Sequence, residues 1–263
     1  MAPSFLSSVF SRKAPPPREM FQAETPHMQG AEIAAAYYGQ RMGGDLYDFL
    51  RVHPKRVLFG LLDVAGRVED NHDIVAAVQA EFRALGTELL SPDDANEAEA
   101  MGELCLRLNQ TLIKAANGVR PCPAFAACYN EDLGILCYFN AGHTPGLVLD
   151  SRGVTELPAT GLPLGLFTHV ACDAAVVALE PDAALMLVSR GVVEGRCKGE
   201  NAKGEEFGLE RAQECFAKMT PTNAREMALS VLNDMQRFMC TPPTHNDVTA
   251  LVLLRDPASG ARG

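Results

Sequence analysis

The sequence predicts an α+β fold in which antiparallel sheets carry helices on their outer faces. Three observations lead there. Strand-like segments dominate both ends of the 263-residue chain, and two adjacent amphipathic helical patterns interrupt its middle. Nowhere do strands and helices alternate regularly, as a doubly wound parallel sheet requires.

Residues 1–22 are Ser-rich and then read Arg12-Lys13-Ala14-Pro15-Pro16-Pro17-Arg18, a composition expected of a flexible arm. The apolar part of this arm, Phe5-Leu6 with Val9-Phe10, is too short for a signal-peptide core. One folded domain is expected over residues 23–256, with 257–263 a disordered tail. Residues 31–38 suit a strand leading into Gly43-Gly44-Asp45. Residues 41–49 and 62–66 each join a strand to an Asp with glycine beside it. The Pro54-bearing turn between them makes a hairpin, which should bring Asp45 and Asp63 together. Residues 57–62 are continuously apolar and read as a buried central strand. Residues 73–90 then switch period: Ile74, Val78, Phe82, Leu85 and Leu89 recur at helical steps.

Ser91-Pro92-Asp93-Asp94 reads as the start of a second helix with Ser91 as its cap. Its apolar stripe runs through Met101, Leu104, Leu108 and Leu112, and Asn117-Gly118 stops it. A meander follows over residues 124–129, 135–140 and 146–149, with a turn before Val154. Residues 170–179 and 184–188 read as another strand pair, turned by Glu180-Pro181-Asp182-Ala183. Ser189-Arg190-Gly191 then exits toward a polar loop. Thr222 is expected to cap a last helix carrying Met227, Val231, Met235 and Phe238, and residues 247–254 form the final strand. Neither an internal repeat nor a second domain is visible.

Composition narrows the function. Hydrophobic residues at 47% and charged residues at 21% allow a substantial core, and a net charge of −10 argues against a nucleic-acid footprint. The eight cysteines form no Cys-x-x-Cys pair and sit in apolar surroundings, which suits reduced core thiols in a cytoplasmic protein. No apolar run approaches the ~18 residues that a membrane span needs. Asp45 and Asp63, paired beside a glycine-exposed backbone, could hold a hard cation such as Mg²⁺ or Mn²⁺. Solvated turn residues are the competing reading. His143, in Gly142-His143-Thr144-Pro145, is expected to hold its loop by a hydrogen bond rather than to do chemistry.

Six motifs in order resemble those of the PPM-type metal-dependent serine/threonine protein phosphatases, in particular the bacterial SpoIIE-like branch that acts on sigma-factor regulators. They are residues 43–49, Asp63-Val64-Ala65-Gly66, residues 140–145, 161–165 and 204–208, and Asp247-Val248-Thr249. The resemblance spans about residues 23–256. It implies two stacked antiparallel sheets flanked by helix pairs. It also implies hydrolysis of phosphoserine or phosphothreonine by water held between two divalent metals. Four Asp and one carbonyl hold those metals in the family. Carried over, they match Asp45, Asp63 and the Val64 carbonyl, whereas Arg190 and Asn246 stand where the third and fourth Asp belong.

Asp45, Asp63, Arg190 and neutral Asn246 carry a net charge of one negative instead of four. A unit charge ~4 Å from a divalent ion is repelled by roughly 8 kcal/mol at an effective dielectric near 20, and arginine cannot shed its proton. At most one weakly held ion is therefore expected, and Arg190 should pair with Asp63 or Asp45 and be available to phosphate. Asp247 should face away from the site unless the chain before its strand is irregular. Three readings stay open: a weak one-metal phosphatase, a pseudophosphatase that binds a regulatory partner, and a scaffold acting through its N-terminal arm. The resemblance implies a small phosphoprotein regulator of the anti-sigma-antagonist type as partner. Nucleic acid is not expected, and a homodimer is an open assembly state.

Overall fold

The structure, a computed structural model, describes residues 25–38, 44–66, 68–169, 173–197, 204–239 and 247–257. The arm, most of the tail and Asn246 lie outside these residues. Two five-stranded antiparallel sheets lie face to face. One has the order β1 (Ala31–Tyr38), β10 (Val248–Arg255), β9 (Ala184–Val188), β6 (Gly146–Asp150), β7 (Gly153–Leu157). The other runs β2 (Asp45–His53), β3 (Arg56–Asp63), β4 (Ala124–Asn130), β5 (Ile135–Ala141), β8 (Ala175–Ala178).

Strand alternation explains the layers. On β3, Phe59 and Leu61 enter the core between the sheets, with Ile33, Leu185, Leu187, Leu251 and Leu253 from the facing sheet. Leu58 and Leu62 point the other way, into a second core under α1 (Val68–Leu90) and α2 (Glu97–Ala116). That is why this strand reads as unbroken hydrophobicity: both its faces are buried. A third core lies outside the other sheet, where Met186, Val188 and Val252 meet α4 (Gly208–Ala217) and α5 (Ala224–Met239). Truncating a central aromatic such as Phe59 or Phe125 to Ala should cost about 3–5 kcal/mol. Among the described residues, no helix is long and apolar enough to cross a membrane. The six cysteines described are all free, as expected of reduced thiols.

Several boundaries differ from the expectations. Helix α1 begins at Val68 rather than Asp73. The cap of α2 is Asn96, whose side chain accepts from the Ala98 and Glu99 N–H groups, and not Ser91. Residues 91–95 form a turn instead, because the buried Arg56 draws in the carbonyls of Leu90, Pro92 and Asp93 and the Glu97 carboxylate. Asn223 rather than Thr222 caps α5, accepting from the Glu226 N–H at 2.9 Å. The expected pair of strands over 170–179 and 184–188 is not a pair. Among the described residues of the first stretch, 175–178 form a strand, which joins β5, while β9 lies in the other sheet between β10 and β6; residues 170–172 lie outside the described residues. The turn between them crosses the sandwich, helped by Asp182 at φ 66°. Helix α4 was not apparent from the sequence, and the exit after β9 is a short helix, α3 (Arg190–Val193).

Candidate functional site

The expected hairpin forms, and its register sets Asp45 directly opposite Asp63. Directly opposed residues in an antiparallel ladder have Cα atoms about 4.5–5.5 Å apart, so both carboxylates emerge at one sheet end. Beside them the backbone crosses closely: the Val64 N–H donates to the Gly44 carbonyl at 3.0 Å. A Cβ on Gly44 would fall 1.9 Å from the Val64 oxygen, so only glycine fits. On the other side, the Asp63 and Ala65 N–H groups donate to the Pro123 and Pro121 carbonyls, each at 2.9 Å. The exit of β3 is thus held from both flanks.

The opposite sheet supplies the rest. Thr249 Oγ1 donates to Asp45 Oδ2 at 2.7 Å. The Thr249 N–H donates to Ser189 Oγ at 3.0 Å, tying the ends of β9 and β10 together. Tyr37 OH donates to Asp247 Oδ1, and Asp247 Oδ2 is buried with no hydrogen-bond partner among the described residues. Asp247 lies just before β10, two residues from Thr249 and therefore on the same face. The expectation that it faces away is corrected: its charge acts on both Asp45 and Asp63.

Burial, and next the neighbouring Asp63, hold the Asp45 carboxyl well above the usual carboxylate range, against the pull of the Thr249 hydroxyl. The Asp63 carboxyl is also raised, first by burial, while Arg190 opposes the rise. Arg190 opens α3, and its Nε lies 3.5 Å from Asp63 Oδ2 and 3.7 Å from Glu194 Oε1. The pairing with Asp63 is present but runs through Nε rather than a two-pronged fork, and 56% of the Arg190 side chain is exposed. Asn246 lies outside the described residues. Burial pushes the Cys122 thiol, which feels Asp63, far above its ordinary value, so Cys122 stays a protonated thiol beside the carboxylates.

Asp45 and Asp247 are buried and Asp63 largely so; with Glu194 they outnumber the Arg190 guanidinium, an excess of carboxylate that suits a divalent cation. The residues fit such an ion: the carboxylates are short of positive charge, and one buried oxygen is unpartnered. Among the described residues, no three His, Cys, Asp or Glu side chains converge to enclose an ion by themselves. Two carboxylates, the Val64 carbonyl and waters are nevertheless an ordinary shell for Mg²⁺. The Val64 oxygen also accepts from Asn71 Nδ2 at 2.8 Å. His143 behaves as expected of a loop-holding residue. Its Nδ1 lies 3.0 Å from the Thr144 carbonyl, and its N–H donates to Asn140 Oδ1 at 2.8 Å. Sequence reasoning missed Tyr37, Asn71 and Thr249 as site residues. For Thr249 the signal was there, in the two-residue strand period from Asp247.

A paired-sheet sandwich with carboxylates at one end is the architecture of PP2C-type phosphatases, and solved structures agree. The RsbU and RsbW domains of a Mycobacterium tuberculosis protein match with a TM-score of 0.69 at 19% identity, covering 88% of this chain and 63% of that one. The SiaA PP2C domain of Pseudomonas aeruginosa matches with a TM-score of 0.65 at 18% identity, covering 85% and 84%. At these identities the likeness shows the fold alone. The profile of the Stage II sporulation protein E (SpoIIE) family matches residues 53–256, and the chain belongs to that family. The phosphoserine phosphatase RsbP of Bacillus subtilis is 26% identical over 162 residues, which make up 60% of this chain and 39% of that protein.

Proposed function

We propose that this chain is a SpoIIE-family domain with a one-ion centre that binds a phosphoserine or phosphothreonine of a small cytoplasmic regulator of the anti-sigma-antagonist type and hydrolyses it weakly. The observation that carries this reading is the Arg190 guanidinium 3.5 Å from Asp63: against Asp45, Asp63, Asp247 and Glu194 it leaves less negative charge than two divalent ions need. Asp45, Asp63 and the Val64 carbonyl would hold Mg²⁺ or Mn²⁺. Such an ion supplies neutralisation of phosphoryl charge and a more acidic water.

The other roles belong to the chain. Thr249 holds Asp45 in place through its hydroxyl, and the Gly44–Val64 crossing fixes the backbone next to Asp45 and Asp63. Arg190 pairs with Asp63 when no phosphate is present and can turn its exposed guanidinium to phosphate oxygens when a partner brings one. The likeness to the phosphoserine phosphatase RsbP supports a phosphoserine-bearing substrate.

A second reading, a pseudophosphatase that binds without hydrolysing, is favoured by the Arg190–Asp63 contact, because a guanidinium there competes with a cation. Hydrolysis of a phosphoserine peptide at saturating Mn²⁺ separates the two. A rate above that of Asp63→Asn supports weak catalysis, and a rate equal to it supports pure binding. Arg190→Asp combined with Asn246→Asp should raise the rate well above wild type. Equal rates in wild type and the double variant would sink the depleted-site account.

A further inference from the structure

We propose that Asn71 and Arg120 are positioning residues that fix the Val64 carbonyl for a cation, an inference that rests on the one-ion reading above. Asn71 lies in the first turns of α1 and is buried, 1% exposed. Its Nδ2 donates to the Val64 carbonyl at 2.8 Å, and its Oδ1 accepts from Arg120 Nη1 at 3.3 Å. The same Nη1 donates to the Ala65 carbonyl at 3.0 Å.

The order of this relay is forced. A guanidinium only donates, so it selects the oxygen end of the Asn71 amide and leaves the NH₂ end for the Val64 carbonyl. Flipping the amide would set donor against donor and oxygen against oxygen. Gly66 completes the seat: it sits at φ +130°, and a Cβ there would fall 2.2 Å from Arg120 Nη1 and 2.9 Å from Asn71 Oδ1. Arg120 belongs to the link between α2 and β4, whose Pro121 and Pro123 carbonyls already take the Ala65 and Asp63 N–H groups. One segment therefore anchors both the backbone of residues 63–65 and, through Asn71, its carbonyl. A carbonyl oxygen has two lone pairs. Asn71 takes one and leaves the other for the ion.

The test is Mn²⁺ affinity by calorimetry for Asn71→Leu and Arg120→Gln, each in the wild-type and the Arg190→Asp/Asn246→Asp backgrounds. Arg83→Gln is the control. It breaks the Arg83–Asp48 pair, which joins α1 to β2, without touching Val64. Losing an outer-shell partner typically weakens metal binding about 10–100-fold. A loss of that size is expected for Asn71→Leu, and a loss in the same direction for Arg120→Gln. Arg83→Gln should lower the thermal midpoint and leave Kd unchanged. Wild-type affinity in both Asn71→Leu and Arg120→Gln overturns the positioning role and leaves the one-ion reading standing. An equal loss in Arg83→Gln also overturns it, because the effect would then be general loosening. No Mn²⁺ binding in any background overturns both.

Discussion

The Nε of Arg190 lies 3.5 Å from Asp63 Oδ2, at the end of the strand that carries the site. It lowers a carboxyl that burial raises. A carboxyl raised above its unfolded value contributes stability while protonated; that contribution is complete below the unfolded value near 3.9 and is lost as pH rises through the folded value. Arg190→Ala lifts the Asp63 carboxyl further, so its cost should be greater at pH 7 than at pH 4.5. With Arg190 more than half exposed, solvent screening limits that cost to about 0.5–1 kcal/mol. Urea unfolding in EDTA at both pH values checks this, and an equal cost at both would contradict it.

Asp247→Asn should stabilise the metal-free protein, because it removes a buried charge whose Oδ2 has no partner among the described residues. The Asn can still accept from Tyr37. The same change should weaken Mn²⁺ binding about tenfold, the effect of roughly 1.4 kcal/mol of lost long-range attraction. The rise in thermal midpoint that Mn²⁺ gives should therefore be smaller in Asp247→Asn than in wild type.

Gly44→Ala should be severe. The new methyl would fall 1.9 Å from the Val64 oxygen, a backbone atom that cannot turn aside. Either the Gly44–Val64 hydrogen bond breaks or the strand ends separate, at a cost of about 1–3 kcal/mol. Urea unfolding measures the loss, and Mn²⁺ affinity should fall with it.

His143 stays neutral in the fold, its pKa lowered from 6.5 to about 4 by burial. The unfolded chain takes up a proton as pH falls below 6.5 while the folded chain does not until about 4. Stability from this group is therefore present above 6.5 and lost across that window, by about 3 kcal/mol in total. His143→Gln should start less stable and show a shallower slope from pH 7 to 4. An unchanged slope would mean that His143 protonates normally.

The hairpin and its facing carboxylates were legible because they are local. Alternation, a Pro54 turn and flanking glycines act within about twenty residues. What was hidden depends on long-range competition. Ser91 looks like a cap, but Arg56, some 35 residues away in the chain, claims the turn carbonyls and shifts the helix start to follow Asn96. Residues 175–178 and β9 read as partners across a short turn, yet each finds a better-buried neighbour in a different sheet. Asn71 carries no signal in the sequence; only the fold brings Arg120 and the Val64 carbonyl to its two ends.

The central claim is a centre built for one ion, and calorimetric titration of the wild-type protein with Mn²⁺ tests it most directly. One weak equivalent, abolished by Asp63→Asn, is the predicted result. Two equivalents, or binding that survives Asp63→Asn, would contradict it.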